Sequence, residues 1–60
     1  MTFMTPEECM EEGSTAIALG ELEQAVECFR KATELNPQYF EAWHSLGMAY
    51  MKLQKYPEYK

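Results

Sequence analysis

The sequence predicts an all-α fold, an antiparallel helix-turn-helix array of three helices. Two observations support this fold class. Apolar residues recur at intervals of three and four, as on one face of a helix, and no segment shows the alternation typical of a strand. Glycine and proline divide the chain into three segments, which predicts helices over residues 6–19, 22–35 and 39–56. Residues 57–60 are expected to fray, because Pro57 prevents regular continuation of the third helix.

The first helix has a clear start and a clear end. Thr5 and Glu8 have the spacing of a capping box, in which each side chain bonds the backbone N–H of the other residue, and Pro6 suits the first helical position. Gly20 follows the last residue of the apolar pattern, where a glycine commonly ends a helix.

The second helix has the most regular periodicity, with apolar residues at Leu22, Ala25, Val26, Phe29, Ala32 and Leu35. Asn36 and Pro37 end it, because the residue before a proline is disfavoured in the helical region. The apolar residues of the third helix are Trp43, Leu46, Gly47, Tyr50, Met51 and Leu53. Lys52 and Lys55 lie near its carboxyl end, where cations complement the helix dipole.

Length and charge restrict the class of protein. With 60 residues the chain is expected to form a single domain, over residues 1–60, that buries only about 60% of its unfolded surface. Its net charge of −5 disfavours nucleic acid and membrane surfaces as partners, since both attract basic proteins. No apolar run approaches the ~18 residues of a membrane-spanning helix. Cys9 and Cys28 fall within apolar helical patterns and are interpreted as buried thiols in a reducing, cytoplasmic compartment.

Residues that could carry catalysis or bind a metal are few. His44 is the single histidine, and the two cysteines form no CxxC pair and no His/Cys cluster with metal-ligand spacing. A catalytic cysteine needs a paired histidine and an electropositive surrounding, whereas Cys9 and Cys28 lie in the acidic half of the chain. We therefore expect no enzyme activity, no cofactor and no metal, and we interpret His44 as an exposed residue of a binding surface.

A repeat pattern identifies a family resemblance. The motif Trp43-x2-Leu46-Gly47-x2-Tyr50 resembles the opening of a tetratricopeptide repeat, and Ala25-x3-Phe29, followed by Ala32 and Pro37, resembles its closing part. A shift by the family period of about 34 residues maps Gly47 onto Gly13, so the two halves belong to successive repeats. The resemblance covers residues 6–56, about one and a half repeats, whereas about three are usually needed for stability. A coincidental three-helix bundle is the alternative, but it would not require this placement of glycine, alanine and proline.

The resemblance implies a protein–protein interaction module that binds a peptide or helix in a concave groove. Carried over by motif register, the groove would contain Met10, Ser14 and Ile17 from the first helix and His44, Met48 and Met51 from the third. Relatives that grip acidic chaperone tails have a lysine and an asparagine at the positions of Met10 and Ser14, so carboxylate recognition is not expected. Methionines among glutamates favour an apolar segment with basic residues, unless these methionines simply fill the core.

The third helix has more apolar surface than the second can cover. We expect Trp43, Leu46, Gly47 and Tyr50 to form a self-association face, since monomeric soluble proteins rarely expose a large apolar patch. A homo-oligomer with closed symmetry, a two-fold dimer, is favoured. The alternative is head-to-tail assembly of the basic C-terminal half on the acidic N-terminal half, which salt would weaken. A further alternative is a truncated piece, or a cap, of a longer repeat scaffold with no ligand of its own.

Overall fold

A computed structural model describes residues 4–55 as three helices, namely α1 (Pro6–Ala18), α2 (Leu22–Leu35) and α3 (Phe40–Lys55). This confirms the predicted all-α class, and no strand occurs between residues 4 and 55. The bounds of α2 agree with the prediction, whereas α1 ends one residue earlier than predicted and α3 begins one residue later. The predicted helical end at residue 56 and the predicted fraying of residues 57–60 lie outside the described residues.

The ends of α1 are fixed by local hydrogen bonds. The predicted capping box is present, because the Glu8 amide donates to Thr5 Oγ1 at 3.1 Å and the Thr5 amide donates to Glu8 Oε1 at 3.0 Å. At the other end Gly20 has a φ of +79°, a left-handed conformation that favours glycine. The amide of Glu21 donates to the Ala16 carbonyl at 2.8 Å and the amide of Gly20 donates to the Ile17 carbonyl at 3.0 Å. These two bonds form a Schellman motif, which ends α1 and turns the chain toward α2.

The turn between α2 and α3 is built around Asn36. Its backbone is extended, at φ −143° and ψ 93°, as expected for a residue before proline. Its side-chain oxygen accepts from the Gln38 amide at 3.2 Å, and its carbonyl accepts from the Tyr39 amide at 3.0 Å. In α3 the indole N–H of Trp43 donates to the Pro37 carbonyl at 2.8 Å. This bond ties the first turns of α3 to the loop.

The core lies on both sides of α2, which packs against α1 and against α3. Cys9 near the start of α1 clusters with Ala32 near the end of α2, and Ala16 clusters with Ala25. Early residues of α1 therefore meet late residues of α2, as antiparallel packing requires. The largest buried side chain is Phe29, which is 1% exposed. Its ring lies directly over Gly13 of α1.

Candidate protein interaction surface

One stripe of α3 faces α2. Ala42, Leu46 and Ala49 are buried and Leu53 is half-buried, at intervals of four, three and four residues. Leu46 was expected on the exposed self-association face, and this expectation is wrong. Its side chain is only 7% exposed and packs in the core with Phe29 and Val26, because position 46 belongs to the stripe that α2 covers.

The adjacent stripe of α3, one residue further along at each step, is not covered by any of the described helices. It consists of Trp43, Gly47 and Tyr50, and we call it the uncovered stripe. Trp43 is 49% exposed and Tyr50 is 47% exposed. A Cβ atom added at Gly47 would meet nothing within 4 Å. Two half-exposed aromatic side chains thus lie on either side of an open glycine.

The same stripe in α1 is covered. One repeat earlier, at a distance of about 34 residues, the equivalents of Trp43, Gly47 and Tyr50 are Cys9, Gly13 and Ala16. All three are buried, and the ring of Phe29 occupies the space over the glycine. The packing of α2 on α1 therefore shows how a helix can cover such a stripe.

The remaining stripe of α1 is polar, and no helix within residues 4–55 lies over it. Glu8, Glu12 and Thr15 are the equivalents of Ala42, Leu46 and Ala49, and all three are exposed. Leu19, the equivalent of Leu53, is the exception in this stripe, because it is apolar and exposed. The chain thus places polar residues where α1 faces solvent but keeps tryptophan and tyrosine where α3 does. A comparison of the two α1 stripes with their α3 equivalents would have predicted from the sequence that Leu46 is covered and Trp43 is not.

The six residues expected in the partner groove do not have a common environment. Ser14, His44, Met48 and Met51 are exposed, whereas Met10 and Ile17 are half-buried and pack against the core. For Met10 the alternative of core filling thus holds in part, and Ile17 also packs against the core. Met10 and Ser14 line an open hollow between α1 and the start of α3, together with Glu7, Glu11, Thr15, Tyr39 and Glu41. His44, Met48 and Met51 are not part of that lining.

The hollow is acidic, a property that the motif register did not reveal. Glu7 and Glu11 come from α1 and Glu41 comes from the first turn of α3. Desolvation raises the pKa of the Tyr39 hydroxyl, and the carboxylates of Glu41 and Glu7 raise it further. The negative potential at Tyr39 has the sign that attracts a basic group.

Both cysteines are free and buried, as their positions in the apolar pattern indicated. Burial raises the pKa of the Cys9 thiol, and the nearby Cys28 adds to the increase. Burial also raises the pKa of the Cys28 thiol, although the Gln24 amide, 3.9 Å from its sulfur, acts in the opposite direction. A raised pKa keeps a thiol protonated at neutral pH, which is the reverse of what a nucleophilic cysteine requires.

Among residues 4–55, no three or more His, Cys, Asp or Glu side chains are placed to hold a metal ion together. None of the helices in the same range combines the length and the apolar character needed to cross a membrane.

Comparison with known proteins agrees with this geometry. Residues 13–54 match the family described as TPR repeat. An uncharacterized protein of Methanocaldococcus jannaschii is 46% identical over 39 residues, which cover 65% of this chain and 45% of that protein. The chain therefore spans less than half the length of this relative. No solved structure matches the chain significantly. Since the family match extends over well more than half of the residues and includes both glycines of the repeat, the chain belongs to the TPR repeat family.

Proposed function

We propose that this chain is a protein–protein interaction module that docks a helix on the uncovered stripe of α3. TPR repeats generally mediate protein–protein interaction, and they are typically scaffolds rather than enzymes. The contrast between the two exposed stripes carries the proposal, because Glu8 and Glu12 face solvent on α1 whereas Trp43 and Tyr50 face it on α3. Aromatic side chains beside an open glycine are a surface that a partner can bury. The two buried, free thiols fit a reducing, cytoplasmic setting.

The covered stripe of α1 shows one kind of helix that fits. There α2 contributes Phe29, which lies between Ala25 and Ala32 along the helix and whose ring fills the space over Gly13. A helix with one aromatic residue flanked by small residues can approach Gly47 in the same way. Burial of Trp43 would leave no hydrogen-bond donor unpaired, because its indole N–H already donates to the Pro37 carbonyl.

A peptide of α2 itself, residues 21–36, is a suitable probe. We expect it to bind the intact chain saturably and to change the fluorescence of Trp43, the single tryptophan. The same peptide with Phe29→Ala should bind at least about tenfold more weakly, because it lacks the ring that fills the space over the glycine. A chain with Tyr50→Glu should also bind it more weakly, which separates docking on α3 from displacement of the chain's own α2. Equal binding of both peptides would contradict the proposal.

The acidic hollow is a second candidate surface. Glu7, Glu11 and Glu41 surround Met10 and Ser14 there, which suits an apolar segment with basic residues. A labelled peptide of alternating leucine and lysine is the probe, with fluorescence anisotropy as the measurement. We expect Glu11→Lys to weaken its binding about three- to tenfold, and Glu34→Lys on the outer face of α2 to weaken it less. Equal effects of the two variants would show that only the net charge attracts the peptide.

A further inference from the structure

We infer that the occupant of the uncovered stripe is a second copy of this chain, bound so that two α3 helices pair antiparallel about a two-fold axis near Gly47. This inference rests on the proposed function, since it names the partner of the same surface. Three properties of the stripe support it, namely its lack of charge, its near symmetry about Gly47 and its satisfied hydrogen-bond donor.

The charge distribution selects which surface of a second copy can meet the stripe. The chain has a net charge of −5, so most contacts between two copies bring like charges together. Exposed charged residues cover the outer faces of α1 and α2, and they are Glu7, Glu8, Glu11, Glu12, Glu23, Glu27, Arg30, Lys31 and Glu34. Burying such residues against Trp43 and Tyr50 would desolvate charges for which the stripe itself offers no ionic partner. The uncovered stripe contains no Asp, Glu, Lys, Arg or His, so it meets its own copy without that cost.

The spacing of the stripe makes it self-complementary. Trp43 lies four residues before Gly47 and Tyr50 lies three residues after it. In an antiparallel pair centred on the glycine, Trp43 of each copy therefore faces Tyr50 of the other, which gives two equivalent aromatic contacts. Gly47 faces its own counterpart at the crossing point, where the absence of side chains permits close approach of the two backbones. Antiparallel packing also places opposite ends of the two helix dipoles together.

The hydrogen bonding of Trp43 removes the main polar cost of this arrangement. The indole N–H donates to the Pro37 carbonyl at 2.8 Å within the same chain. The ring can thus be buried against a second copy without leaving a donor unpaired. The Tyr50 side chain is half-exposed, and its hydroxyl group can remain at the edge of the interface in contact with water.

Sedimentation equilibrium tests the inference, with far-UV circular dichroism as the control for folding. The chain should form a dimer whose dissociation constant changes little with salt. Tyr50→Glu should be monomeric over the same concentrations, whereas Met48→Glu, on another side of α3, should remain dimeric. Gly47→Ala is the sharpest variant, because a Cβ there meets nothing within 4 Å in the single chain. It should keep its helical content and still weaken the dimer about tenfold or more, since the added methyl groups collide at the crossing.

The possible outcomes separate this inference from the proposed function. A chain that stays monomeric at all concentrations but still binds the α2 peptide would overturn the dimer and leave the docking surface intact. A chain that neither dimerises nor binds the α2 peptide would contradict both the dimer and the proposed function. An assembly of more than two copies that dissociates at high salt concentration would indicate head-to-tail contacts and would overturn the two-fold arrangement. If neither Gly47→Ala nor Tyr50→Glu changed the dissociation constant of the dimer, the interface would lie elsewhere, which also contradicts the inference.

Discussion

Phe29→Ala is expected to leave most of the chain unfolded at 25 °C. The ring is 1% exposed and is the largest side chain in the core, so its removal creates a cavity between α1 and α2. Truncation of a buried phenylalanine typically costs about 3–5 kcal/mol. A core of this size rarely supplies more than about 3–5 kcal/mol in total, so the loss is close to the entire stability.

Urea unfolding followed by circular dichroism at 222 nm measures this effect. Phe40→Ala is the matched control, because Phe40 is 75% exposed and the same truncation there should change the free energy of unfolding by less than about 0.5 kcal/mol. If Phe29→Ala unfolded cooperatively at the same urea concentration as the original chain, the central role of this ring in the core would be refuted.

The two repeat-related glycines should respond to alanine in opposite directions. A Cβ at Gly13 would lie 2.7 Å from Cδ1 and from Cζ of Phe29, and closer still to Cε1, so the buried ring or the helix must shift. Gly13→Ala should therefore lower the free energy of unfolding by about 1–3 kcal/mol. Gly47→Ala meets no neighbour in the single chain and should raise it by about 1 kcal/mol, the difference in helix propensity.

Both variants gain the same helix propensity, so the difference between them isolates the overlap with Phe29. The measurement is urea unfolding in dilute solution, below the concentration at which copies associate. The double variant Gly13→Ala with Phe29→Ala provides a further check. Since the added methyl group fills part of the space left by the ring, the double variant should be more stable than the sum of the single effects indicates. Strict additivity, or equal effects at the two glycines, would contradict the packing of Phe29 on Gly13.

The parts of the fold that depend on local chemistry were predictable from the sequence. The capping box of Thr5 and Glu8, the turn at Gly20 and the helix end at Asn36 each depend on residues within one or two turns of the chain. The periodicity also placed α2 correctly, because its apolar face is continuous and its other side is highly charged.

The assignment of residues to the surface of α3 was less predictable. Leu46 and Gly47 are neighbours in sequence, and both belong to a broad apolar face, but α2 covers only one of them. Which stripe is covered depends on the angle at which α2 crosses α3, a quantity that apolar spacing does not specify. The same reason explains why Met10 and Ile17, expected in the groove, lie partly in the core. The acidic hollow depends on bringing Glu41 close to Glu7 and Glu11, which only the tertiary packing does.

The polar outer stripe of α1 has a consequence for the size of any assembly. In polymer chemistry a monomer with two reactive ends grows into a chain, whereas one with a single reactive end is a terminator. Glu8, Glu12 and Thr15 give the outer side of α1 a polar surface, so among the described residues the aromatic stripe of α3 is the surface suited to stacking. If two copies pair through α3 as inferred above, that contact occupies the stripe of both copies, and the exposed glutamates of α1 disfavour growth beyond two copies.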